Sequence, residues 1–514
     1  MAESRVRNAE RNTASAFLFQ IINLALKFAL RTVFIHMLGK EYLGVSGVFS
    51  NIFTVLSLSD LGLRSAIVYD MYKPISEGNE KQICSLVNFY KVLFTGIGLF
   101  VLSVGLLLIP FLDKIINSVP NVKSIVLIYI LLLSGSVLSY FYAPYSSLIG
   151  AYQKNYVITN INIGISFLKT VLEVVLLIIF KSYIIYLLAD IALLLLQNVI
   201  IRYKAIKMYR FIKEKADRLN VEERIKIFKN AVSNFSIRIS FVIIEGTDNI
   251  LISMLVSTIL VGLYSNYAMI VQICVTSTTL LMHAVLPGVG NICVSDNYEK
   301  RRQIFHRLGF IFATIYALIA VGYITTIDLF IEIWAGKDYI LPFEIEIIII
   351  FNCWMSGMRQ TSEIIVSADG LFDHFKVVPL VAALLNIALS IILGKTMGIK
   401  GVLLGTTLSQ LITNTWYYPY VVCKYATNER FLKYLLLYLK SALLVIIAAI
   451  GSKAAAVRFA QTEAVAGLGL LIVDVIFAVL SFCVIWLLFY RKTNEFAYYR
   501  NYVLTKARTV MAKR

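Results

Sequence analysis

Lys27 and Arg31 stand four residues apart inside the first long apolar stretch of the chain, and their neighbours one turn away are Asn23 and Ile35. That spacing puts both cations on one helical face, where like charges repel. No acid on the same helix lies close enough to neutralise them, so the pair calls for an anion supplied from elsewhere. Ionisable side chains within a membrane span are costly and face a protein interior or a water-filled cavity. Arginine grips a phosphate through two parallel hydrogen bonds, whereas lysine acts as a point charge. That anion from elsewhere is the best clue to function, and Arg64 in the next apolar stretch is placed to extend the same cationic surface.

A second constellation has the opposite sign. Glu245 and Asp248 are three residues apart, with Arg238 about two turns earlier. Paired carboxylates in a low dielectric favour proton or cation binding. Either ion coupling, with H+ or Na+ as the coupling cation, or a salt bridge that gates two lobes would use these groups.

The elements that carry these residues are membrane spans. Of 514 residues, 59% are hydrophobic and 15% charged, and the mean hydropathy is +0.79. Soluble domains carry about 25% charged residues. Apolar runs long enough to cross about 30 Å of hydrocarbon at about 1.5 Å per helical residue recur from end to end. The chain is therefore expected to be an all-α polytopic membrane protein, with about fourteen transmembrane helices. They fall near 14–38, 42–69, 83–111, 124–149, 157–180, 183–202, 231–256, 261–290, 304–331, 342–367, 376–394, 400–423, 434–452 and 464–490. The first is too long for a cleavable signal peptide, and its small-residue motif Ala14-Ser15-Ala16 precedes the apolar core rather than following it.

Loop charge orients these spans. With helix-edge cations assigned to the adjacent loop, one side holds 31 of the 48 Lys and Arg residues and the other side 9. The positive-inside rule makes both termini cytoplasmic. The net charge of +18 is then explained by anionic membrane lipids, and no nucleic-acid partner is expected. The longest connection, 203–230, is basic and carries apolar residues at near-helical spacing, which predicts an amphipathic surface helix. It separates an N-terminal six-helix lobe (1–202) from a C-terminal one (231–423), and 424–514 adds two helices and a basic cytoplasmic tail. A weak internal repeat supports the division. Arg31–Leu38 can be laid on Asp248–Leu255, and Gly44-Val45-Ser46 on Gly262-Leu263-Tyr264.

Motifs for soluble chemistry are missing from the sequence. Gly394-Lys395-Thr396 imitates the end of a P-loop, but Leu389 occupies the position of the required glycine. The four histidines are dispersed, and the six cysteines are scattered singly without metal-ligand spacing. Asp60/Arg64, Lys169/Glu173 and Arg359/Glu363 are i,i+4 pairs able to neutralise one another along a helix. Prolines 144, 287, 379 and 419 predict bends within spans. Transport fits better than catalysis, and neither a metal nor an organic cofactor is expected.

At Arg31-Thr32-Val33-Phe34-Ile35, Leu38-Gly39-Lys40-Glu41-Tyr42-Leu43-Gly44, Ser57-Leu58-Ser59-Asp60-Leu61-Gly62 and Met71-Tyr72-Lys73-Pro74 the chain resembles a bacterial Wzx-type polysaccharide flippase. That family lies in the multidrug/oligosaccharidyl-lipid/polysaccharide (MOP) exporter superfamily. The resemblance spans the whole length and implies two V-shaped, MATE-like lobes around a cavity with alternating access. It implies an undecaprenyl-pyrophosphate-linked oligosaccharide as substrate, moved from the cytoplasmic to the outer leaflet of the bacterial plasma membrane. It also implies work beside glycosyltransferases and a polysaccharide polymerase. Related peptidoglycan-precursor flippases carry arginines in their first two spans, where Arg31 and Arg64 stand here. The alternatives are a multidrug/cation antiporter of the same superfamily or, as an enzyme, a membrane polysaccharide polymerase. The first should favour unpaired acids in the first bundle, and the second should carry a large external loop or clustered catalytic carboxylates.

Overall fold

The computed structural model describes residues 2–57, 63–117, 119, 121–214, 219–225, 227, 242–244, 246–293, 297–462 and 467–511. Among them every regular element is a helix. This is what a chain in lipid must do, because helices satisfy their own backbone hydrogen bonds where water cannot.

In chain order the α-helices are α1 (Ala2–Leu56), α2 (Leu63–Glu77), α3 (Glu80–Leu107), α4 (Leu112–Ile115), α5 (Ile125–Leu138) and α6 (Ala143–Ala151). Then follow α7 (Asn155–Phe180), α8 (Tyr183–Met208), α9 (Asp248–Leu255), α10 (Thr258–Cys293), α11 (Tyr298–Trp334) and α12 (Phe343–Asp369). The last six are α13 (Val378–Met397), α14 (Ile399–Ile412), α15 (Asn414–Val421), α16 (Phe431–Thr462), α17 (Leu468–Tyr490) and α18 (Asn494–Met511). Ten helices or helix runs among the described residues are long and apolar enough to cross a membrane.

Of the seventh expected span, 231–256, the part 231–241 lies outside the described residues; the other spans overlie these helices once the breaks are read. The first span and the start of the second are one helix, α1, kinked at Gly39 with φ 79°. Only glycine enters that left-handed region without strain, so the kink is written at a single residue. The fourth span is two helices, α5 and α6, separated by a turn, and Pro144 lies in the first turn of α6. Pro379 likewise opens α13. In both places the ring replaces an N–H that had no helical partner. The twelfth span breaks at Thr413, between α14 and α15, and ends in a π-helical turn, Val422–Ala426.

Contacts divide the chain into two compact units, 1–265 and 266–514. The expected division at 203–230 falls earlier than this. Within the first unit, α9 and the start of α10 are tied to α1 and to the turn after α4. Ser253 Oγ donates to the Ile115 carbonyl at 2.5 Å, and Thr258 N–H donates to the Asn117 carbonyl at 3.0 Å. Asn249 Nδ2 reaches Asn51 Oδ1 at 3.2 Å. Gly44 on α1 and Gly262 on α10 let two backbones meet. A Cβ on Gly262 would strike the Lys40 carbonyl and lie 3.0 Å from the Gly44 nitrogen. Small residues at such crossings are how membrane helices gain close packing.

The described part of 203–230 is not one continuous amphipathic helix. α8 ends at Met208, Tyr209 turns out of the helix (φ −131°, ψ 73°) and stacks on Tyr152, and a 3-10 turn follows at Arg210–Lys213. In the second unit the two extra spans, α16 and α17, pack on α11. Phe310, Ala317 and Val321 meet Leu444, Ala448, Ala478 and Phe482. Thr325 and Ser452 share a buried 2.6 Å hydrogen bond across this contact.

Candidate functional site

Arg31 is half-buried on α1. Its Nη2 donates to Ser265 Oγ at 2.5 Å, and that hydroxyl donates in turn to the Gly262 carbonyl at 2.8 Å. The glycine that permits the close helix crossing thus belongs to the same turn of α10 that holds the arginine. The Arg31 charge also acts on Tyr183 and Tyr186 at the start of α8. Phe34, one turn from Arg31, presents edges to both rings at 5.3 and 5.9 Å. This aromatic shelf fixes the α1 face that bears the arginine. Lys27, one turn back on that face, is exposed.

Behind the shelf lies an ion cluster on α7 and α8. Lys169 bonds Asp190 directly and stands 3.8 Å from Glu173, whose side chain is wholly buried. The i,i+4 spacing pointed to Glu173, but the closer partner is Asp190. The α7–α8 hairpin brings that carboxylate within direct reach, while the two residues on one helix remain a full turn apart. Sequence spacing cannot register a cross-helix partner, and Asp190 was missed for that reason.

The other expected site residues stand as follows. Arg64 lies in α2, its side chain outside the described residues, and Asp60 is outside them altogether. Arg238 and Glu245 also lie outside the described residues. Asp248 opens α9 in the first unit and is buried, 9% exposed. The structure therefore brings Arg31 together with Ser265 on α10, and leaves the proposed Glu245/Asp248/Arg238 constellation represented by Asp248 alone.

The second unit holds two polar clusters. The expected Arg359/Glu363 pair is present at 2.6 Å, and Arg359 Nη1 also donates to Gln410 Oε1 at 2.7 Å. That cation is internally satisfied. The other cluster had no sequence signal. Glu346 on α12 is buried, 2% exposed, and faces Asp328 on α11 and the hydroxyl of Tyr267 on α10. Lys453 on α16 reaches Asp328 at 3.4 Å. An apolar cavity of 460 Å³ adjoins it, lined by Ile324, Phe343, Ile347, Trp354 and Ile450 and ending at Lys453.

Neither a family model nor a curated protein matches this sequence. Solved structures do match in shape. The chain superimposes on the lipid II flippase MurJ in an inward closed conformation with a TM-score of 0.65 at 16% identity, over 93% of this chain and 98% of that one. A multidrug resistance MATE family transporter of the MOP superfamily, inward-facing, gives 0.59 at 13% identity, covering 79% and 98%. A Vibrio cholerae MATE transporter gives 0.55 at 14%, covering 84% and 100%. The chain therefore has the fold that these flippase and MATE structures share.

Proposed function

We propose that this chain is a flippase that carries undecaprenyl-pyrophosphate-linked oligosaccharide from the cytoplasmic to the outer leaflet of the plasma membrane by alternating access, with both termini cytoplasmic. The observation that carries this reading is Arg31. It is half-buried on α1, and the Ser265 hydroxyl holds its guanidinium, which fixes the direction in which its charge is presented. Exposed Lys27 on the same face adds a second positive charge. A diphosphate matches such a pair, with the arginine supplying direction and the lysine long-range attraction. A lipid II flippase shares the fold, which supports a lipid-linked cargo.

The test is flipping in proteoliposomes of a fluorescent undecaprenyl-pyrophosphate oligosaccharide, read by quenching from outside. Arg31→Ala should abolish it and Arg31→Lys should retain part of it. Full activity in a Lys27→Ala/Arg31→Ala double variant rules the assignment out. A cation antiporter is the second reading, favoured by the MATE neighbours and by the acidic cluster of the second unit. Ethidium efflux by the same vesicles, without lipid flipping, would establish it instead.

A further inference from the structure

The cluster around Glu346 contains more negative charge than its surroundings can neutralise. Glu346 lies on α12, Asp328 on α11 and Asp474 on α17, and all three act on or are acted on by the single ammonium of Lys453 on α16. From α10 the titratable group facing Glu346 among the described residues is Tyr267, itself fully buried, whose oxygen already accepts the Leu341 N–H at 2.9 Å. Nearby charges at the same end of the unit are occupied with one another, Glu344 with Lys400 and Glu332 with Lys337. Both oxygens of Glu346 are buried with no donor among the described residues in ordinary hydrogen-bonding geometry, and Asp474 Oδ1 is in the same position. An ionised carboxylate in such a place would be uncompensated, which apolar surroundings do not tolerate.

We infer that Glu346 and Asp328 form a proton-binding site, one proton being shared between the two facing carboxyls while Lys453 balances the single negative charge that this pair retains. A proton suits the geometry better than a metal cation. A metal ion would sit against the Lys453 ammonium, 3.4 Å from Asp328, and would find few oxygens beyond the two carboxyls and one committed tyrosine. Among the described residues no three acidic, histidine or cysteine side chains converge as a metal site requires. The groups sit at the C-terminal ends of α11 and α16 and the N-terminal ends of α12 and α17. With cytoplasmic termini, this is the outer end of the second unit. The site is distinct from the Glu245/Asp248/Arg238 constellation read from sequence and does not depend on what the protein carries.

Infrared difference spectroscopy tests this on the full-length protein in lipid, without any need for transport. The wild type at neutral pH should show the C=O stretch of a protonated carboxyl. Glu346→Gln should remove that band, and Asp328→Asn should remove or shift it. If Glu346→Gln does not fold, Tyr267→Phe keeps both carboxyls and should move the band by withdrawing the facing hydroxyl. No carboxyl band in the wild type, or a band unmoved in all three variants, overturns the proposal. Loss of the band on adding NaCl at constant pH would show a metal cation held there and overturns it as well. Lipid flipping that persists in Glu346→Gln while the band disappears would leave the proton site standing and separate it from the cargo assignment.

Discussion

Lys169 on α7 bonds Asp190 on α8, across the helical hairpin, and stands 3.8 Å from Glu173 one turn along its own helix. The lysine therefore bridges two carboxylates, and the partner carboxylates differ in burial. Glu173 is wholly hidden, while Asp190 remains about one third exposed.

Removing one member of this triad should be worse than removing two. Asp190→Ala leaves Lys169 with Glu173 alone and should destabilise the protein by about 1–3 kcal/mol, between the values for exposed and buried pairs. Lys169→Met/Glu173→Gln, which withdraws one charge of each sign, should be closer to wild type than Lys169→Met. Thermal melting of the detergent-solubilised protein checks this ordering, and additive losses would show that the three charges do not act together.

Ser265→Ala should leave the fold intact and weaken the orientation of Arg31. One hydrogen bond to a charged group contributes about 1.5–3 kcal/mol. Arg31 keeps other interactions, so flipping should fall roughly tenfold, about 1.4 kcal/mol, rather than vanish. Ser265→Thr, which retains the hydroxyl, should restore most of the rate in the same vesicle assay. A Thr variant as impaired as the Ala variant would show that packing at α10, not the hydrogen bond, is what matters.

Enlarging the crossing of α1 and α10 should be disruptive. In Gly262→Leu the added side chain meets the Lys40 backbone, which cannot swing aside as a flexible side chain would. Overpacking of this kind costs about 1–3 kcal/mol. The melting temperature should drop clearly, whereas Gly288→Leu on the same helix, with open space around its Cβ position, should be nearly silent. Equal effects at the two positions would contradict the close-approach role.

The loop-charge asymmetry predicts which reagent reaches which end. A single cysteine at Lys213, in the 3-10 turn after α8, should resist a membrane-impermeant maleimide in intact cells and react after permeabilisation. One at Lys337, in the turn between α11 and α12, should react from outside. The reverse pattern would invert the topology.

The helical class, the spans and their order were legible in the sequence because a transmembrane helix is a local object. Its length, its apolarity and the proline or glycine that interrupts it are all contiguous residues, as Gly39 and Pro144 illustrate. Arg359/Glu363 was legible for the same reason, since its partner is one turn away. Arg31 stood out in the sequence because a cation in a span with no acid one turn away on its own helix is conspicuous.

Partners from other helices were decided only by tertiary structure. Ser265 is an ordinary serine until α10 crosses α1 and places its hydroxyl on Arg31. Asp328 and Glu346 are eighteen residues apart on different helices, and the turn after α11 is what sets them face to face beside a lysine more than a hundred residues away. The repeat that aligns Gly44 with Gly262 hinted at equivalent positions, and packing showed that the two meet in one unit. Hydrophobicity acts along the chain and can be read there, but the direction of each buried charge depends on which helix packs beside it.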